Sequence, residues 1–453
     1  MIENPDDMRG QPATNLKHPD DPAPHPGRWA IAIMVSAAIV LSYLDRLTLP
    51  WTLSEIQKDY PFSDQVKALF DSAFLISYGL MYLGGGRLLD RLGTRRGFLI
   101  VMIFWSLACA SQGLAGNFGM PAIGGMAFAL CMLVVSRFLL GAGEGGGFPA
   151  ATRAVTEWFP VNERSTAMGI INAGTAVGAV AAPPLIMLVL NHTGWFGIAP
   201  WRWVFIICGA MGLLWTLWWF IAYHPPEEAV ETDDGSVVVA SKPAAVPIKA
   251  LLRHKEVWAV VGAKFLTDAA WYFYMFWLPK FLMEMFDMEF SSASGVGWIP
   301  YAAAGVGCLV GGCFSSALLK RGASVNMARK LTLGLSAAFM PWVMLVPQLD
   351  SVTWVIVVFS LAFFGQQSWS TLVMILPTDM IPRHSVGTVA GMVGLGGALG
   401  GVVLGQTAGY LRDHGFSYTP ILIVAGSLHI IAFILICVVV PRIRQLDIQP
   451  QTS

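Results

Sequence analysis

Charge is what this sequence has least of. Only 12% of its 453 residues are charged, about half of the roughly 25% usual in a soluble domain. The 28 acidic and 28 basic residues cancel, so no basic excess invites nucleic acid. The six cysteines (Cys109, Cys131, Cys208, Cys308, Cys313 and Cys437) fall in apolar segments without metal-ligand spacing or a disulfide pattern. They read as small packing residues. The stretch before Arg28 lacks a basic region followed by an apolar one, so no cleaved signal peptide is expected. The sequence offers no nucleophile and base arrangement, no metal-ligand cluster and no phosphate-binding glycine loop in a fitting context. That speaks against an enzyme, a metal or a cofactor.

What the chain has instead is hydrophobicity: 55% of its residues are hydrophobic and its mean hydropathy is +0.61. About 20 apolar residues cross the hydrocarbon core as a helix, and lipid offers no partner to an unpaired backbone group. Twelve such segments lie near 29–51, 68–88, 97–115, 121–148, 165–190, 200–223, 256–282, 295–319, 328–347, 352–377, 386–411 and 417–440. The expected fold class is an all-α polytopic membrane protein. Residues 1–28, rich in Pro, Asp and His, read as a disordered cytoplasmic tail. The polar stretch 224–255 holds HPPEE, ETDDGS and SKPAAVP, which is linker chemistry. It separates six spans in 29–223 from six in 256–440, and 441–453 forms a second tail.

Basic residues orient the chain. With both termini cytoplasmic, the inner loops hold Arg91, Arg95, Arg96, Arg153, Arg164, Lys242, Lys249, Arg253, Lys255, Lys320, Arg321, Arg329, Lys330 and Arg383. The outer loops hold only Lys58, Lys67, Arg202, Lys280 and Arg412. This asymmetry places both termini inside.

The halves also repeat each other. Gly86-Arg-Leu-Leu-Asp90-Arg91-Leu-Gly93-Thr94-Arg95-Arg96 between spans two and three answers Gly312 to Gly322 between spans eight and nine. Phe159-Pro160 with Gly169 nine residues past the proline answers Ile381-Pro382 with Gly391 at the same offset. Such duplication implies two six-helix bundles related by an axis along the membrane normal, with a substrate path between them.

The string Gly86, Asp90, Arg91, Gly93, Arg95, Arg96 resembles the inner-gate signature of the major facilitator superfamily, with Thr94 where arginine is common. Tyr43-Leu-Asp45-Arg46, Arg137 seven residues before Glu144, and Glu157-Trp-Phe-Pro-Val-Asn-Glu163-Arg164 resemble its anion:cation symporter family. Lys264-Phe-Leu-Thr-Asp268 and Trp271 to Lys280 look most like the hexuronate and aldonate transporters of that family. Gly394 stands where some aldonate transporters carry asparagine, which fits a hexuronate-type site better. The resemblance implies the twelve-helix major facilitator fold, apparent monomers in a bacterial inner membrane, and import of a sugar-acid anion with protons. Other carboxylates such as aldonates and sialate, organic-anion antiport, and a transport-like membrane sensor stay open as alternatives.

The same resemblance assigns roles. Arg46 matches the arginine that holds the substrate carboxylate, Asp45 and Glu144 match the proton-carrying carboxylates, and Arg137 matches their partner. Tyr43 and Tyr78 match hydroxyls that contact substrate, and Thr175 falls where relatives carry a polar residue. The residues support this independently. A charge at the bilayer centre costs roughly 2.5–3.5 kcal/mol on insertion scales and is usually kept for moving something. If a substrate carboxylate takes the arginine, the protein carboxylate loses its partner and binds a proton more readily, so anion and proton favour each other. A purely structural ion pair remains the plain alternative.

Gln366, Gln367, Ser368 and Ser370 surround Trp369 in span ten, as sugar hydroxyls and a ring face require. Lys264 and Asp268, four apart, pair on one helix face, or Lys264 adds positive charge for the substrate. His429 reads as packing, and Trp271, Tyr272 or Tyr274 as gate candidates within an aromatic cluster. The glycines of spans five, eight and eleven fit helix sliding and tight static packing alike.

Overall fold

A computed structural model describes residues 26–116, 125–192, 194–224, 248–381 and 386–446. The helices are α1 (Arg28–Asp59), α2 (Asp64–Gln112), α3 (Gly125–Glu144), α4 (Gly147–Trp158), α5 (Val161–His192), α6 (Pro200–Ala222) and α7 (Ile248–Leu251). They continue as α8 (Lys255–Met285), α9 (Phe290–Gly297), α10 (Ile299–Lys320), α11 (Val325–Ala338), α12 (Val352–Met380), α13 (Val386–Asp413) and α14 (Thr419–Val439). Among the described residues, eleven helical spans are long and apolar enough to cross a membrane. The twelfth, α8, carries Lys264, Asp268 and Lys280 along its length.

Spans two and three run together as α2, broken at Gly93 with φ 74°. That positive-φ conformation is open to glycine at little cost and strained for other residues, so the motif glycine makes the turn between spans two and three. Span four is α3 followed by α4, which meet just after Glu144. The duplicated Phe159-Pro and Ile381-Pro dipeptides stop α4 and α12 in the same way. Phe159 (φ −119°, ψ 134°) and Ile381 (φ −107°, ψ 140°) are both extended C-caps, the conformation a following proline imposes. Pro382 itself lies outside the described residues.

Prolines inside helices mark where the backbone opens. Pro279 denies the Met275 carbonyl its helical donor, and the Tyr301 hydroxyl of α10 supplies one at 3.0 Å. Pro50 in α1 does the same to the carbonyl of Arg46, one turn from the charged residues.

Chain direction alternates, so the start of α1 and the end of α14 lie at one end of the bundle, here called the terminal end. The two halves meet where α2 lies along α13 and where α5 and α1 touch α10 and α8. The far end is sealed by cross-bundle polar contacts. Lys280 pairs with Asp64, Arg412 with Asp64 at 3.7 Å, and the Asp413 carboxylate accepts from the N–H groups of Asp64 and Gln65 at 2.7 and 3.0 Å. Asp413 thereby caps α2 from the opposite bundle. Gln406 continues the seam through Gln65 and Ser72.

Three cations expected in outer loops are instead buried in helices. Lys67 pairs with Asp71 inside α2, Lys280 with Asp64, and Arg202 donates to the carbonyls of Gly113 and Ala115. All three lie within a few residues of a helix end, which made them look like loop, and burial against carboxylates or carbonyls removes them from the loop count. The glycines serve close packing. Gly174 and Gly178 bring α5 against α1, and Gly396 and Gly400 bring α13 against α8. Gly79, Gly391 and Gly305 lie at contacts between the halves.

Candidate functional site

Three helices of the first half build a buried charged cluster. Ser42 and Arg46 sit one turn apart on α1 and both donate to the same Glu144 oxygen, Oε2, each at 2.7 Å. Glu144 reaches them because α3 lies tight against both arms of α2. A Cβ at Gly141 would stand 2.2 Å from the Phe74 carbonyl oxygen, and one at Gly143 2.5 Å from Trp105 Cβ. Glycines before Glu144 thus set its depth. Asp45 points away from Arg46, as neighbours on a helix about 100° apart must. Its Oδ2 accepts from the Trp105 indole N–H at 2.9 Å.

Arg46 is 2% exposed. Its guanidinium lies over the rings of Tyr43 and Tyr78 at 4.6 and 4.5 Å, a cation–π cradle. Among the described residues its Nη2 has no hydrogen-bond partner, and neither do Asp45 Oδ1 or Glu144 Oε1. Arg137 lies over Phe74 at 4.8 Å, and all three of its guanidinium nitrogens lack a hydrogen-bond partner. Its electrostatic partners are Asp71 and Glu144, so it faces the acidic cluster without bonding to it.

Asp71 is the residue the sequence reading missed. It is buried and accepts from Lys67 at 2.5 Å. The signal was available: Asp64, Lys67, Asp71, Phe74 and Tyr78 recur at steps of three and four, one face of a helix. Asp71 falls inside the expected span 68–88, but its partner Lys67 falls one residue before it and was counted as loop, so the pair went unread. Trp105 and Ser42 were missed too, since neither type is distinctive in an apolar helix.

The second half contributes a polar chain. Lys264 pairs with Asp268 at 2.9 Å and donates to Ser370 at 2.7 Å. The Gln366 amide N–H reaches Asp268 at 3.5 Å, and its carbonyl oxygen bonds the His429 ring. His429, expected as packing, is therefore a hydrogen-bonded member of this chain, with its ring edge against Trp369 at 5.5 Å. Apolar neighbours along α14 concealed a polar partner supplied by α12. Ser368 is turned instead toward Ser336 of α11 at 2.7 Å, and Trp369 packs into the second bundle at 0% exposure. Gln367 is half-buried. The Thr175 hydroxyl is spent on the Asn172 carbonyl of its own helix at 2.8 Å. The halves meet here through aromatic rings: Phe74 of α2 lies edge-to-face with Phe276 of α8 at 6.3 Å.

Around this centre the charges balance. Asp45, Asp71, Glu144 and Asp268 are buried, and so are Arg46, Lys67, Arg137 and Lys264. A monoanion entering alone leaves a net negative charge in low dielectric, which a proton cancels. A separate cavity of about 500 Å³ between α10 and α12 has only uncharged lining, including Ile299, Ile356 and Phe364, and offers an anion no counter-charge.

At the terminal end, Thr94 donates to Glu157 at 2.6 Å, which gives the departure from the motif a function. Glu157 also takes Arg153 at 2.9 Å and the Tyr223 hydroxyl at 3.0 Å. Arg95 donates to the Phe220 carbonyl at 3.1 Å, while Arg91 and Arg96 are exposed. The side chains of Gly86 and Asp90 lie outside the described residues. Among the described residues there is no group of three or more His, Cys, Asp or Glu placed to hold a metal.

Comparison with known proteins agrees with this architecture. The chain is 26% identical over 438 residues to a hexuronate transporter of Escherichia coli strain K12, covering 94% of this chain and 96% of the relative. It is 28% identical over 428 residues to a D-galactonate transporter of Escherichia coli O6:H1, covering 90% and 95%. The crystal structure of a bacterial homolog of the human lysosomal transporter Spinster, inward-facing and occupied, superposes with a TM-score of 0.67 at 18% identity, covering 92% of this chain and 96% of that one. These relatives are named as transporters, and the chain is a membrane protein of that kind, not an enzyme. Residues 35–405 match the Major Facilitator Superfamily, and the chain belongs to that family.

Proposed function

We propose that this chain imports a sugar-acid anion, hexuronate foremost, together with protons, by alternating access across a bacterial inner membrane. The observation that carries the reading is Arg46: buried, cradled by Tyr43 and Tyr78, bonded to Glu144 through Nε and unpartnered at Nη2. A planar guanidinium suits a carboxylate, which it can bind through two parallel hydrogen bonds. When the substrate carboxylate takes Arg46, Glu144 loses its cation and accepts a proton. Asp45, which accepts from the Trp105 indole, is the second proton carrier, and Arg137 holds the cluster's charge balance. Lys264 and Ser370 face the sugar from the second half. The hexuronate and galactonate relatives support the substrate class.

The bundles 29–223 and 256–440 rock as units, the stretch 224–255 links them, and the chain works as a monomer. The terminal end, where Arg91, Arg96, Arg153, Arg164, Lys320, Arg321 and Lys330 gather, faces the cytoplasm under the positive-inside rule. Proteoliposomes test this. Acidification of the far side drives labelled glucuronate inward above equilibrium, and galacturonate competes. Uptake indifferent to the pH gradient overturns symport, and counterflow of galactonate alone reassigns the substrate.

A further inference from the structure

A buried ion pair on α2 lies outside the roles assigned above. Lys67 and Asp71 are 1% and 3% exposed and bond at 2.5 Å. Asp71 Oδ1 has no hydrogen-bond partner among the described residues. Two features tie the pair to transport. Arg137, whose guanidinium nitrogens have no hydrogen-bond partner, is shared electrostatically between Asp71 and Glu144. And the Lys67 ammonium lies 4.0 Å from the ring centre of Trp277, which belongs to α8 of the opposite half.

The charged groups facing Asp71 are Lys67 on its own helix and Arg137 on α3. From the opposite half, the Trp277 ring lies over Lys67 and Gln406 of α13 bonds Ser72, while Lys280 and Arg412 face Asp64, one turn before Lys67. A buried pair of this kind is a poor device for stability alone, because desolvation offsets most of its attraction. Its place on the path is more telling. Asp64, Lys67, Asp71, Phe74 and Tyr78 form one face of α2 running from the far-end seal to the ring beneath Arg46.

Resting on the symport reading, we propose that Asp71 is a third proton-carrying carboxylate, with Lys67 its resident counter-ion and Trp277 the cover that ties its state to closure of the far end. When α8 parts from α2, Trp277 leaves Lys67 and water reaches the pair. A far-side hydronium gives its proton to Asp71 Oδ1: an O–H bond forms there, water is left, and Lys67 turns to solvent. Arg137, relieved of one carboxylate, then acts wholly on Glu144 or the arriving anion. When the far end closes and the terminal end opens, Lys67 returns to Asp71, and the proton leaves to water on the terminal side.

The test compares two assays on Asp71→Asn in proteoliposomes. Counterflow of labelled glucuronate needs no net proton movement; accumulation driven by far-side acid does. The expected result is counterflow retained, acid-driven accumulation lost, and fewer protons taken up per substrate. Accumulation and proton uptake unchanged overturn the proposal. Since the Asn variant leaves Lys67 buried without its partner, the pair-free variant Lys67→Met/Asp71→Leu is read alongside it. If that protein is folded by its melting profile and keeps counterflow without acid-driven accumulation, the proposal stands. If it keeps the accumulation, or loses counterflow as well, the pair is structural and the proposal falls. Wild-type protein insensitive to the gradient would instead remove the symport reading itself, so the two failures are distinct.

Discussion

Arg46 and Glu144, from helices ninety-eight residues apart in sequence, share a 2.7 Å hydrogen bond through Nε alone, leaving the arginine's Nη2 free of protein partners. A guanidinium held on one edge and open on the other is a receptor for a second carboxylate. Arg46→Lys keeps the charge but loses the fork. Hydrogen bonds to charged groups contribute about 1.5–3 kcal/mol, so half-saturation should rise by about 10- to 100-fold. Competition of unlabelled glucuronate in counterflow reads this directly, and unchanged affinity removes Arg46 from the carboxylate site.

Glu144→Gln preserves the shape and a hydrogen-bond acceptor for Ser42 and Arg46, but not the titrating group. It should retain counterflow and lose accumulation against a gradient. Asp45→Asn should behave alike, with its Trp105 contact kept. Concentrative uptake surviving in the double amide variant would leave the coupling scheme without carriers.

Asp413 caps the first turn of α2 across the bundle interface. Losing a side-chain cap costs about 0.5–2 kcal/mol, here only in the state with a closed far end. Asp413→Ala should therefore raise the far-open population by about 2- to 30-fold. Spin labels at Lys58 and Glu289, exposed at the far ends of α1 and at the start of α9, should report longer distances. An unaltered distribution argues that the seal is held elsewhere.

Lys264→Ala leaves the buried Asp268 carboxylate without its cation, a loss of about 3–5 kcal/mol in comparable buried pairs. A lowered melting temperature in detergent is expected, with recovery in Lys264→Met/Asp268→Leu. If the recovered double variant also transports normally, the pair serves the fold and not the sugar.

Gly93→Ala asks an L-residue to adopt φ 74°, ψ 163°, at roughly 1–3 kcal/mol. A modest fall in thermal stability should accompany it, whereas Gly169→Ala, where a Cβ meets nothing within 4 Å, should differ little from wild type.

Much of this was legible in the order of residues. Long apolar runs dictate spanning helices, because only a helix satisfies its own backbone in lipid, and a repeated motif dictates two similar bundles. Asp45, Arg46, Arg137 and Glu144 were visible because charge in such runs is rare. Asp71 lay inside an expected span too, but its partner Lys67, one residue before that span, resembled loop until burial was known. Likewise His429 looked like filler until α12 supplied Gln366. Sequence alone settles which side chains are costly to place in a membrane. Only the packed structure decides which of them meet, since pairing depends on helix depth and rotation: glycines at Gly141 and Gly143 seat Glu144 against Arg46 and leave Arg137 facing Asp71.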